Sequence, residues 1–65
     1  MRQLFDGFQP AHDWAQSEAK KKSKPLRLCK IEIGGIKYSV IDESEKLMPD
    51  EKELNKYNAK GEIVK

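Results

Sequence analysis

Few residues in this chain have side chains suited to catalysis. His12 is the only histidine and Cys29 the only cysteine. A nucleophile and base must lie within hydrogen-bond reach, with a third group to orient the base. Cys29 falls within a β-forming apolar run, where a thiol packs as a small hydrophobe, and His12 stands beside Asp13 early in a polar helix. One Cys and one His cannot complete a zinc set. Gly34-Gly35 sits at a hairpin tip and not before a helix, so it is no phosphate loop. Asp42, Glu43 and Glu45 lack the spaced ligands of a calcium loop. The expectation is a protein with no enzymatic activity, cofactor or metal.

Binding groups are better represented. Phe5, Phe8, Trp14 and Tyr38 are anchor-type aromatics in a chain short of apolar mass, and they are the candidate contacts to a protein partner. The lysine cluster Lys20, Lys21, Lys22 and Lys24, with Arg27, Lys30 and Lys37, is the candidate set for nucleic acid. A two-stranded ribbon fits the major groove, and Lys30 and Lys37 lie on its more polar face. Against this stand Glu32 between them and a net charge of only +2. The charge is unevenly spread: residues 1–40 carry eight Lys or Arg against four acids, and residues 41–65 carry five Lys against seven acids.

Sixty-five residues allow one small domain, 1–65, with 1–9 as its least constrained part. Charged and apolar residues each make up 37% of the chain. The lone cysteine fits a reducing compartment, the N-terminus lacks the apolar run of a leader, and no stretch is long and apolar enough to span a membrane. A cytoplasmic protein with a complete short reading frame is expected.

The elements that position these groups centre on Leu26–Asp42, LRLCKIEIGGIKYSVID, which reads as a β-hairpin of strands 26–33 and 36–42. Gly34-Gly35 accepts φ > 0 at both central positions of a two-residue turn. That loop pairs Ile33 with Ile36, Glu32 with Lys37, Ile31 with Tyr38, Cys29 with Val40 and Arg27 with Asp42. It sets Cys29, Ile31, Ile33, Ile36, Tyr38 and Val40 on one apolar face, which needs a cover.

A helix is expected over about 10–22. Pro10 suits its first position, Asp13 its first turn and the lysines its last, with Ala11, Trp14, Ala15 and Ala19 on one stripe. Leu4, Phe5 and Phe8 ahead of it are either a plug for the core or exposed anchors.

Residues 50–57 have two readings. DEKELNK favours a short helix opened by Pro49. The other reading turns at Asn58–Gly61 and pairs residues 54–57 with 62–65 as strands. The helix is preferred, with 62–65 as a terminal strand in both cases. The fold class is therefore α+β.

The function expected is that of a small protein-binding regulator or inhibitor of a larger macromolecule, on the scale of a phage or plasmid accessory protein. Nucleic-acid binding through the lysine cluster and hairpin is the alternative. Homodimerisation through the uncovered hairpin face is a third route.

Overall fold

The computed structural model describes residues 1–64. In chain order the elements are β1 (Arg2–Phe5), α1 (Phe8–Lys22), β2 (Leu26–Glu32), β3 (Ile36–Asp42), β4 (Glu51–Tyr57) and β5 (Ile63–Val64). The strands form one five-stranded sheet in the order β1-β3-β2-β4-β5, every neighbouring pair antiparallel. The fold is α+β, with one helix on one face of the sheet.

α1 buries Ala11, Ala15 and Ala19 completely. Residues spaced by four fall on one face, and their methyl side chains let the helix lie close to Leu26, Leu28, Val40 and Tyr57. The helix starts at Phe8, two residues before the expected position, so Pro10 is its third residue and Asp13 lies beyond the first turn. Pro10 still removes only an N–H that the first turn leaves unpaired. Asp13 instead accepts a hydrogen bond from Gln9 Nε2 at 3.0 Å. At the other end Ser23 adopts a left-handed conformation, φ 52° and ψ 46°. Its N–H reaches Lys20 O and that of Lys24 reaches Ala19 O, which closes the helix as a Schellman motif.

The hairpin is present, but its register differs from the expected one by one residue. Glu32 pairs with Ile36, Cys29 with Ser39, Leu28 with Val40 and Leu26 with Asp42, so the loop has three residues, Ile33 to Gly35. Gly34 (φ 63°) and Gly35 (φ 130°) supply the positive φ angles. A one-residue slip moves every side chain of one strand to the other face relative to its partner. Val40 and Tyr38 therefore join Leu26 and Leu28 under the helix, while Cys29 and Ile31 share the opposite face with Ser39 and Ile41. The charge pairs that favoured the expected register are formed with other elements: Lys37 binds Asp6, Arg27 binds Glu53 and Asp42 binds Lys24.

Residues 50–57 are not helical, because Glu51–Tyr57 is strand β4, paired along β2 from Leu26↔Tyr57 to Ile31↔Glu51 with a bulge at Leu54. The helix propensity of DEKELNK amounts to a few tenths of a kcal/mol per residue. Against it stand the backbone pairing that β2 would otherwise lack and the burial of the Tyr57 ring, 1% exposed. The strand reading of the C-terminus matches what is observed. Asn58 and Gly61 close a turn with Gly61 at φ 82°, and Tyr57 pairs with Ile63 and Lys56 with Val64. Of the expected strand 62–65, Lys65 lies outside the described residues.

Since β3 and β4 flank β2 and run parallel to each other, residues 43–50 must cross the sheet. They cross the face away from the helix, where Arg27 of β2 donates from Nη2 to Glu45 O and Arg2 of β1 donates from Nη2 to Lys46 O at 3.2 Å. Cys29, Ile31 and Ile41 on that face are fully buried. The apolar hairpin face expected to need a cover is thus two faces, one under α1 and one under this crossover.

Candidate functional site

The four predicted anchors come together. Phe5 and Tyr38 are register partners in β1 and β3. Trp14 packs on Phe5 with ring centroids 5.6 Å apart, and Phe8 meets Tyr38 edge-on at 5.9 Å. Phe5, Trp14 and Tyr38 are half-buried against the core, whereas Phe8 is 38% exposed. Both roles considered for the opening stretch are therefore filled, by Phe5 as a plug and Phe8 as an exposed aromatic. Ile36, two residues before Tyr38 on the same face, is 53% exposed. Phe8, Tyr38 and Ile36 form an apolar strip at the turn end of the hairpin, rimmed by Lys30 and Glu32, the register partners of Tyr38 and Ile36. The sequence reading missed Ile36 because its register turned both isoleucines beside the glycines inward. Their position next to an exposed turn was the available signal.

Behind the strip, His12 stacks on Phe8 (5.8 Å, planes at 10°) and reaches buried Tyr57, with Nδ1 2.7 Å from the hydroxyl. Asn55 Nδ2 donates to the same hydroxyl at 3.3 Å, so the Tyr57 oxygen links His12 of α1 to Asn55 of β4. Burial raises the Tyr57 pKa above its ordinary value. His12 is thus engaged in packing the helix onto β4.

Cys29 lies on the opposite side of the sheet, so the chain's one thiol and one imidazole do not meet. Burial, reinforced by the Glu51 charge, pushes the thiol up to about 11. Next to it is the densest polar cluster of the protein. The Glu51 carboxylate accepts Arg2 Nε at 2.8 Å and Nη2 at 2.7 Å, Ser39 Oγ at 2.5 Å and the Met48 N–H at 2.8 Å. The Arg2 guanidinium beside it outweighs burial and holds its carboxyl down at about 2. Arg2 also binds Glu45 through Nη1 at 3.0 Å. This cluster fastens β1, β3, β4 and the crossover together. Its carboxylate oxygens accept from Arg2, Ser39 Oγ and the Met48 N–H, so the cluster ties strands together.

The predicted nucleic-acid set is dispersed. Lys20, Lys21 and Lys22 project from the last turn of α1. Lys24 is paired with Asp42 at 2.9 Å, Arg27 with Glu53 at 3.2 Å on the crossover face, and Lys37 with Asp6. Lys30 lies beside Tyr38 at the hairpin's other end. Among the described residues, no three His, Cys, Asp or Glu side chains group as metal ligands would, and no helix is long and apolar enough to cross a membrane. No family model, curated protein or solved structure matches the chain.

Proposed function

We propose that the chain is a non-enzymatic binding protein of the cytoplasm that regulates or inhibits a larger macromolecule by docking on a protein partner. The observation that carries this reading is the strip of Phe8, Tyr38 and Ile36, in which rings and a branched side chain stand exposed within a charged rim. Interfaces place aromatic anchors at a desolvated centre and charges at the edge, and the strip has that arrangement. Two unpaired strand edges add backbone donors and acceptors for strand addition. Among the described residues these are the outer edge of β1 and that of β4 from Glu51 to Leu54, since β5 pairs with Lys56 and Tyr57. The buried thiol of Cys29 fits a reducing compartment.

The test is affinity capture from nuclease-treated lysate with the intact chain and with a Phe8→Ser, Ile36→Ser variant whose fold is checked by circular dichroism. Capture of discrete proteins by the intact chain, lost in the folded variant, is expected. Identical capture by both would show that the strip does not carry recognition.

A further inference from the structure

We propose that the C-terminal end of α1 and the β4–β5 turn together form a surface that binds the phosphate backbone of nucleic acid, with Lys20, Lys21, Lys22 and Lys60 as its contacts. The helix and the turn are far apart in sequence, and Gly61 joins them. It is buried against α1 so closely that an added Cβ would stand 2.6 Å from Gln16 O and 3.4 Å from Lys20 Cβ. Lys60 is therefore carried to the last turns of the helix, where Lys20, Lys21 and Lys22 fan out around the solvent side.

All four lysines are exposed, and none takes part in an ion pair among the described residues. Two carboxylates lie nearby, Glu18 one helical turn before Lys22 and Glu62 two residues after Lys60, and among the described residues neither forms an ion pair with these lysines; Glu62 accepts from Asn58 Nδ2 at 3.1 Å. Its other exposed members are Ser17, Ser23 and Ala59, and the exposed aliphatics Ile63 and Val64 lie beyond the turn in β5. A protein interface requires an apolar centre and is depleted in lysine. Lysines without such a centre suit the phosphate backbone, where attraction is sequence-independent and driven by counterion release. This surface differs from the dispersed set expected from the sequence: it gains Lys60 and excludes Arg27, Lys30 and Lys37. It is also separate from the Phe8–Ile36 strip.

Fluorescence anisotropy with a labelled duplex of about 20 base pairs tests it. Four phosphate contacts give a slope of log K against log salt of about −3.6, or about 150-fold weaker binding at 200 mM than at 50 mM salt. Lys60→Gln should flatten that slope by about 0.9, as Lys21→Gln should, while Lys30→Gln leaves it unchanged and a scrambled duplex binds equally well. Lys60 is exposed, so its variant retains the fold, with the Trp14 fluorescence spectrum as control. Absence of binding at 50 mM salt, or a slope unaltered by Lys60→Gln, overturns the proposal. So does preferential binding of a polyglutamate peptide, which would assign the patch to an acidic protein.

Discussion

Replacing Glu51 by Gln tests the buried carboxylate at the centre of the polar cluster. The carboxylate side chain is fully buried and held by Arg2, Ser39 Oγ and the Met48 N–H. Its pKa falls from 4.5 to about 2. A shift of that size corresponds to about 3 kcal/mol of stability. Because the folded value is the lower one, the contribution is fully present above pH 4.5 and is lost as pH falls through about 2. A domain of this length has about 3–10 kcal/mol in total, so Glu51 carries a large share. The glutamine keeps the shape but removes one of the two carboxylates that Arg2 binds, leaving the half-buried guanidinium with Glu45 alone. Urea titrations followed by Trp14 fluorescence at pH 7, 4 and 2.5 give the comparison. Wild type should lose stability steeply below pH 4.5, and Glu51→Gln should be weaker at pH 7 by about 3 kcal/mol and much flatter with pH. Equal stability of the two proteins at pH 7 would refute the reasoning.

Further outcomes follow from single positions. Gly61→Ala should destabilise by about 2 kcal/mol or more in the same titration, since φ 82° is strained for alanine and its methyl group meets Gln16 O. Ser23→Gly should stabilise by about 1 kcal/mol, because the left-handed helix cap carries a side chain there. Tyr57→Phe should cost about 1–2 kcal/mol, leaving His12 Nδ1 and Asn55 Nδ2 without the hydroxyl. The Cys29 thiol, buried and pushed up to about 11, should resist alkylation at pH 7.5 in native protein and react promptly in urea.

The sequence was most legible where local signals agreed with tertiary ones. The alanines at 11, 15 and 19 marked the buried face of α1, and Gly34-Gly35 marked the hairpin turn. Register was not legible, because it was set by reading Gly34-Gly35 as a two-residue loop, and the loop has three residues, Ile33 to Gly35. Asp42 and Lys37 took partners on other elements, and the sheet was buried on both faces, so both registers buried apolar side chains. Residues 50–57 misled for a related reason. A stretch of helix formers becomes strand when the edge of β2 lies open and Tyr57 has a core to enter, and neither condition is written in DEKELNK itself. The aromatic anchors were visible as residue types, and the structure assembles them into one contiguous group. Ile36 and Lys60 were not visible, since the first depended on the true register and the second on Gly61 docking against the helix.

The most direct measurement of the binding account is the affinity of a captured partner for the intact chain and for two variants, one altered at Phe8 and Ile36 and one at Lys20, Lys21, Lys22 and Lys60. The first should weaken binding at least about tenfold, as loss of interface hot spots does, while the second should leave it within about twofold. Unchanged affinity in the folded Phe8→Ser, Ile36→Ser protein would contradict the binding account.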